Sequence, residues 1–477
     1  MNILISNKIR IEQSTPALRR WIQKEYTIDN PEYITLKRLG KKAWGIPRTL
    51  KLYEQYDDTI ILPYGCLQAL YMFLINTTDL TTVDIKTQLN RDKTAEWEGN
   101  TIIPRDYQAV AVNQMVLAKF GILKAPCSSG KTIMGHLIAQ KTGMRTLWLT
   151  HTVALLNQSK AVGEMILGKG DRVGTITDGK CNPGRTITYA TVQTMSMLDP
   201  KQYKDQYNCV ICDEVHRVSK TAETYTQFSY VLNNVAAEYK YGLSATPETH
   251  NGYGKSIFCN VGDIKHTIPQ SVLEKNGTIM PVEIHPIQTE WTYPKEAFKA
   301  NGVLDFDKAM PYLRSDENRN ALVAYLCASV PTLVLSNNID HLCYMANALS
   351  LDQQKRACLV STKHDDSILT ADILCKHGSK ANAEYIEKMR TGELDIMFAT
   401  YQLAKEGLNI PRLEQVILAF PAVDENIITQ SVGRVARCAD GKNKAICYDL
   451  VDKPTYFQKH YRDRKRLYKK NGNSIVE

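Results

Sequence analysis

The sequence predicts an α/β protein built as two parallel-sheet lobes with a small N-terminal α+β domain. Two patterns carry the lobes. Between about residues 101 and 452, short β-rich runs alternate with helical patterns, and strands that alternate with helices pair in parallel across βαβ crossovers. The runs form two groups: GILKA, TLWLT, TITYAT, NCVIC and KYGLSAT, then PTLVLS, DIMFAT, QVILAF and AICYDLV. A stretch punctuated by Gly and Pro, from NGYGKS to NGTIMPVE, separates them and reads as a linker around 260–285.

The parts follow in order. Residues 1–95 read as a separate mixed α and β unit that closes in the polar stretch LNRDKTAEWEGN; residues 96–270 form the first lobe, 271–452 the second, and 453–477 a basic tail. A length of 477 residues suits about three domains at roughly 150 residues each. With 43% hydrophobic and 23% charged residues, collagen-like, low-complexity and wholly disordered chains are excluded.

The net charge of +9 is unevenly placed. Residues 453–477 carry eight Lys or Arg against two acids, while 101–452 is nearly neutral. Lys37 to Lys51 holds six basic residues and no acid, interleaved with Trp44 and flanked by Tyr33 and Tyr53. That pattern suits phosphate contact plus stacking on an unpaired base; a solvated face over a core aromatic is the plain alternative. Twelve cysteines are scattered from Cys66 to Cys447, and the one CxxC pair, Cys209 and Cys212, lies in an apolar strand-like run with no second pair or nearby His. Reduced thiols are expected, with no structural zinc. The N-terminus lacks the layout of a signal peptide, and the run LQALYMFLI is far shorter than the roughly 20 residues of a membrane span. A cytoplasmic protein is expected, in the host cytoplasm if phage-encoded.

Four motifs carry the chemistry. APCSSGKT, Ala125 to Thr132, follows a strand and opens a helix, the context of a phosphate-binding loop. Backbone N–H groups of Ser128, Ser129, Gly130 and Lys131 can surround phosphate oxygens; Lys131 can reach the β- and γ-phosphates, and Thr132 can hold Mg²⁺. Ala125 stands where the usual pattern has Gly. DEVH, Asp213 to His216, lies just beyond CVIC, where carboxylates point into the crevice of a parallel sheet; Asp213 suits a metal shell and Glu214 the polarising of a water. SATP, Ser244 to Pro247, ends another strand. In QSVGRVAR, Gln430, Arg434 and Arg437 recur at the spacing of one helix face, so an Arg there could neutralise charge on a phosphate. Each has an ordinary reading too: a helix cap, an acidic strand end, a turn, a solvated basic face.

Taken as an ordered set, these motifs resemble motifs I, II, III and VI of superfamily 2 helicases and translocases. IPRDYQ resembles the adenine-recognising segment, LWLTHTVALLNQ motif Ia, ITYATVQTM the Ib region, TLVLSNNIDHL motif IV and ATYQLAKEGLNIP motif V. Asn409 stands where many relatives have Asp. The resemblance implies two RecA-like lobes with ATP and Mg²⁺ bound where the lobes meet. It implies adenine contact by Arg105 and Gln108, Mg²⁺ on Thr132 and Asp213, and coupling of hydrolysis to movement through His216, Ser244 and Thr246. Gly407 would join the nucleotide site, with Arg434 and Arg437 as the finger candidates. Thr150, His151, Thr191, Ser336, Asn337 and Thr400 would track the nucleic-acid backbone.

The segment after SATP resembles the branch containing XPB, RecG-like motors and restriction translocases. The N-terminal unit resembles the leader of phage UvsW-type branch-migration helicases. That resemblance implies a DNA motor, 3′ to 5′, acting on forks and four-way junctions in recombination, replication or repair, with a monomer as the expected state. An RNA helicase of the same fold and a restriction-type duplex translocase are the alternatives. Lys37, Arg38, Lys41, Lys42 and Trp44 are the leader's expected DNA contacts, and Arg462, Arg464 and Lys465 those of the tail.

Overall fold

A computed structural model describes the chain apart from residues 39, 79, 101, 219–225, 249–251, 328–329, 362–366, 406–407 and 477. The chain forms two compact units, Met1–Pro126 with Gly130–Ile268, and Cys127–Ser129 with Pro269–Glu477.

The first unit opens with a five-stranded sheet in the order Glu54–Tyr56, Thr59–Pro63, Lys8–Glu12, Asn2–Ile5 and Asp84–Thr87. Alternation in KIRIE and NILI sends Ile3, Ile5, Ile9 and Ile11 to one face, where they pack with Leu18 and Ile22 of the helix Pro16–Glu25 and Leu70 and Leu74 of Leu67–Thr77. Thr15 caps the first of these helices, accepting from the Leu18 N–H, with Pro16 at its first position. A separate ribbon, Thr27–Asp29 against Thr49–Lys51, flanks the basic cluster.

The larger sheet of this unit runs Lys180–Asn182, Val173–Thr177, Ile187–Thr191, Thr146–Thr150, Cys209–Asp213, Tyr239–Ser244, Phe120–Lys124, Ile264–Thr267. All neighbours are parallel except the first pair. The central strands are buried at every position, which is why TLWLT and CVICD read as continuous apolar runs rather than as alternation. The helix Lys131–Thr142 is enclosed, with Met134 through Ala139 all buried, and it ends at Gly143 in the left-handed region (φ 66°).

The second unit holds a seven-stranded, all-parallel sheet: Ala357–Val360, Ile396–Thr400, Thr332–Ser336, Gln415–Leu418, Ile446–Val451, Glu283–Gln288 and Ser474–Ile475. Residues 453–477, expected as an appended tail, are instead part of this unit. The helix Thr455–Lys470 buries Phe457, Tyr461, Leu467 and Tyr468, and Ser474–Ile475 adds the last strand. The apolar positions recur every three to four residues among the charges, so the segment has a core-facing stripe despite its composition. Among the described residues, no helix is long and apolar enough to cross a membrane.

Candidate active site

The phosphate-loop candidate is shaped by backbone conformation. Ser128 and Gly130 sit in the left-handed region, at φ 64° and 81°, immediately before the helix that starts at Lys131. A side chain on Gly130 would be strained at its φ of 81°, and its Cβ would lie 2.5 Å from Nε2 of Gln108. Gln108 therefore rests directly on the loop. Its position is fixed at the start of the helix Asp106–Ala118, where its Oε1 accepts from the Arg105 backbone N–H at 3.0 Å. The Arg105 guanidinium donates to the Tyr107 hydroxyl at 3.3 Å. Lys131 folds back on its own loop, Nζ donating to the carbonyls of Ala125 and Pro126, each at 3.2 Å. Those carbonyls occupy a cation that anionic oxygens would bind more strongly.

The acidic pair lies at the carboxyl end of Cys209–Asp213. Glu214 is held at φ 54°, a conformation that costs an ordinary residue about 1–3 kcal/mol and persists where surroundings enforce it. The Asp213 carboxylate accepts from the Glu214 N–H at 3.1 Å. Burial and the neighbouring Glu214 push the Asp213 carboxyl up, with Lys131 opposing. Burial acts on Glu214 in the same sense, but the bond and charge of His216, with Lys131 and His151, bring its carboxyl down. One carboxyl is thus strained towards its protonated form beside one held ionised. A divalent cation on Asp213 would relieve that strain. A hard-oxygen set of one carboxylate and the Thr132 hydroxyl, completed by substrate phosphate and water, fits Mg²⁺.

His216 joins the acidic pair to SATP. Its Nδ1 lies 3.2 Å from Glu214 Oε2 and 3.2 Å from Ser244 Oγ, and Ser244 Oγ in turn accepts from the Thr246 N–H at 3.1 Å. The three expected coupling residues therefore form one chain of contacts running from Glu214. Thr246 Oγ1 is buried with no hydrogen-bond partner among the described residues.

In the second unit, Asp424 caps the helix Glu425–Val435, its Oδ1 accepting from the N–H groups of Asn426 (2.8 Å) and Ile427 (3.0 Å). Gln430 is buried on this helix. Arg434 donates to the carbonyls of Ala404 (2.9 Å) and Leu408 (2.8 Å), which ties the helix to the motif V segment. Arg437 donates to the Asn409 side chain and to the Leu408 carbonyl. Burial and the charge of Arg434 bring Arg437 down to about 10, so it remains a cation at neutral pH. The bond to Asn409, which nothing in the sequence pattern predicts, gives the residue that replaces Asp a use as a neutral acceptor. Gly407 lies outside the described residues.

The expected nucleic-acid contacts divide sharply. Thr150, Thr191 and Ser336 are buried and internally bonded: Thr150 donates to the Thr152 carbonyl, the Thr191 hydroxyl bonds with those of Thr177 and Thr194, and Ser336 pairs with His341 at 2.9 Å. They hold the strand ends in shape, and their hydroxyls are turned inward. Asn337 is exposed, His151 is half-buried, and Thr400 is half-buried with its hydroxyl accepting from the Leu403 N–H. Arg464 is a correction. It is 2% exposed and makes two bonds of 2.9 Å to Asp449, so it is a core ion pair rather than a phosphate contact. Its neighbours on the outer face, Lys459, Arg462, Arg466 and Lys469, form an exposed stripe at helical spacing, in which Arg466 pairs with Asp463; Lys465 is half-buried.

The basic segment of the first unit is an exposed arm. Asn30, fully buried, closes its base: its side chain donates to the Pro47 carbonyl and its N–H to the Arg48 carbonyl, both at 2.8 Å. The arm's helix Pro31–Arg38 buries no residue, Lys37, Arg38, Lys41, Lys42 and Arg48 are exposed, and Trp44 is 83% exposed.

Two family models match the regions that carry these sites. Residues 101–249 match the type III restriction enzyme res subunit, and residues 331–439 match the helicase conserved C-terminal domain. The chain is a superfamily 2 helicase. As an ATP-dependent helicase it resembles a putative ATP-dependent RNA helicase of Acanthamoeba polyphaga mimivirus, at 26% identity over 373 residues, 74% of this chain and 64% of that protein. It also resembles the ATP-dependent DNA helicase uvsW of Enterobacteria phage T4, at 24% identity over 428 residues, 83% of this chain and 80% of that one. Among solved structures, S. cerevisiae Dbp5 bound to RNA and ADP BeF3 shares the helicase's fold, with a TM-score of 0.53 at 13% identity over 78% of this chain and 90% of that one. The two sheets are thus RecA-like.

Proposed function

We propose that this helicase is a DNA motor that remodels forked and four-way junctions by ATP-driven branch migration. The exposed arm of residues 31–48 carries the proposal: a helix with no buried residue, five exposed cations and an indole presented to solvent. Such an arm is suited to hold backbone phosphates while a flat ring stacks on a base freed at a branch point. The phage relative named as a DNA helicase, matched over 83% of this chain, supports the same reading.

In the nucleotide site, Lys131 and the amides of Ser128, Ser129 and Gly130 hold the β- and γ-phosphates, while Gln108 and Arg105 read adenine. Thr132 and Asp213 hold Mg²⁺, which when bound neutralises charge on the phosphoryl oxygens. Glu214, held ionised, orients and deprotonates the attacking water. Gln430, Arg434 and Arg437 supply donors and positive charge for the transferred phosphoryl group. His216 passes the state of Glu214 to Ser244 and Thr246. Polarity is proposed as 3′ to 5′. The mimivirus relative, named as an RNA helicase, favours the second reading, an RNA-directed enzyme.

A panel of forks, four-way junctions, tailed duplexes of both polarities and matched RNA duplexes, with and without ATP, tests the proposal. Branch migration of four-way DNA is expected, with a loss of about 5- to 150-fold in Trp44→Ala, since stacking is worth roughly 1–3 kcal/mol per base. Activity confined to RNA, or on linear duplex alone, would overturn it.

A further inference from the structure

We propose that His136 is a positioning residue that links the phosphate loop to the two strands leading to motifs Ia and Ib, and so transmits nucleic-acid binding to ATP turnover. The inference rests on the functional reading above, in which this unit hydrolyses ATP on nucleic acid; that the segments just beyond the strands Thr146–Thr150 and Ile187–Thr191 meet the nucleic acid is part of the inference.

His136 lies one helical turn beyond Thr132, and its Nδ1 is 2.7 Å from the Thr132 carbonyl oxygen. A carbonyl only accepts, so Nδ1 carries the hydrogen and Nε2 presents a lone pair. That lone pair is 2.6 Å from the Tyr189 hydroxyl, which donates to it. The two contacts, one at each ring nitrogen, fix the orientation of the imidazole. Trp148 stacks on the imidazole, with ring centroids 4.4 Å apart at 26°. All three side chains are fully buried.

Their placement in the sheet gives the cluster its meaning. Trp148 and Tyr189 face each other across parallel strands, and two residues on, in the same register, Thr150 faces Thr191. Residues two apart share a face of a strand. The His136 ring therefore touches Thr132, the proposed Mg²⁺ residue, at one nitrogen. Through its other nitrogen and its face it touches the two strands that end in motifs Ia and Ib.

Two glycines keep the space open. A Cβ on Gly135 would lie 2.6 Å from the Trp148 ring, and one on Gly163, in the helix Val153–Leu167, would lie 1.9 Å from the Tyr189 oxygen. Neither glycine needs a left-handed backbone, so both are small because a ring must pass. An all-hydrocarbon core would fill this volume without burying an imidazole and a phenol, whose polar atoms must be matched to each other. The polar pair instead fixes one relative position of helix and strands, and a displacement at Thr132 reaches both strand ends through rigid rings.

Three variants of the full chain test this: Tyr189→Phe, which removes only the hydroxyl; His136→Asn, which keeps a donor near the Thr132 carbonyl and loses reach to Tyr189; and Lys131→Ala. Turnover and KM for ATP are measured alone and with oligo-dT, a four-way DNA junction or homopolymeric RNA, alongside melting temperature. In the first two variants, basal turnover and KM should stay within about twofold while nucleic-acid stimulation falls about tenfold, within the usual range of coupling between sites. Full stimulation in both, or basal and stimulated rates falling together with melting temperature, would make the cluster a packing feature and overturn the inference. Absence of stimulation in the wild type, or turnover in Lys131→Ala, would overturn the functional reading and this inference with it.

Discussion

Arg464→Ala should destabilise the second unit rather than weaken nucleic-acid binding. The guanidinium donates through Nε and Nη2 to the two Asp449 oxygens, at 2.9 Å each, and through Nη1 to the Ala422 carbonyl at 3.2 Å. The Tyr468 hydroxyl donates to the same carboxylate at 2.9 Å. Both partners are almost fully enclosed, at 2% and 1% side-chain exposure. Burial alone would lower the guanidinium's proton affinity, and Asp449 more than offsets it. Removing one member leaves an uncompensated buried charge, a loss of about 3–5 kcal/mol. For a unit of this size each kcal/mol moves the midpoint about 2–4 °C, so its melting transition should fall by roughly 6–20 °C. Calorimetry reads the transition, and DNA binding titrated against salt reads the phosphate contacts. Arg464→Met combined with Asp449→Leu should recover most of the loss, because matched apolar replacements remove both charges together. An unchanged melting transition in Arg464→Ala, with a shallower salt slope, would refute the core-ion-pair assignment. The exposed stripe should behave oppositely: replacing Lys459, Arg462 and Lys469 should reduce the slope by up to about 0.9 per phosphate contact and leave the transition in place.

Glu214→Gln should lower ATP turnover by roughly 10²–10⁴-fold while ATP still binds, whereas Lys131→Ala should lose binding as well; equilibrium nucleotide binding beside steady-state turnover separates them. His341 is buried between Ser336 and Arg319, and burial, with the charge of Arg319 and Arg314, holds its imidazole well below the ordinary value. The unfolded chain then takes the proton first, so stability of the second unit should fall as pH drops below about 6.5, by up to about 1.4 kcal/mol per pH unit. Urea unfolding across pH in wild type and His341→Asn should show the steeper dependence in wild type. Gly65→Ala should destabilise the first unit, since its Cβ would lie 2.4 Å from the Phe258 carbonyl oxygen and 2.5 Å from the Gly262 nitrogen; a melting temperature within a degree of wild type would show that the contact yields.

How much of this was legible in the sequence depends on burial. The nine strands named from sequence are buried along nearly their whole length, and a continuous apolar run survives in any reading of local pattern. Val173–Thr177, with a mid-strand Gly, and Glu283–Gln288, with His285 and Pro286, lack that signal and join sheets already nucleated by their neighbours. Among the expected site residues, Lys131, Asp213, Glu214, His216 and Ser244 are singled out by motif and Gln108 by resemblance. Motif spacing could not tell which hydroxyls turn inward, as those of Thr150, Thr191 and Ser336 do. It also could not separate Arg464 from Arg462, two residues away, since only the helix phase against Asp449 decides which is buried. His136 and Tyr189 carried no signal at all: their meaning lies in a contact 53 residues apart in sequence.

The arm's attachment bears on how such a motor would work. The N-terminal sheet and the larger sheet belong to one compact unit and are joined by polar contacts, several of them buried. Lys240 is fully buried, and burial carries its ammonium down to about 7. It donates to the carbonyls of Leu232 (2.9 Å) and Asn7 (3.3 Å) and lies 4.7 Å from the Tyr64 ring centroid. Tyr64 donates to the Glu238 carbonyl, and Asn90 donates to those of Lys204 and Tyr207. Lys255, on the helix that follows SATP, pairs at 2.7 Å with Glu25, just ahead of the ribbon that carries the arm. The buried bonds of Lys240, Tyr64 and Asn90 resist sliding, because it would leave those groups unpaired, while the exposed Lys255–Glu25 pair adds little. The base of the ribbon that carries Trp44 and its cations is therefore set in the unit that also holds Lys131 and the strands Thr146–Thr150 and Ile187–Thr191. On the proposed function, a base held on Trp44 would be held by the same compact unit that carries Lys131 and Asp213.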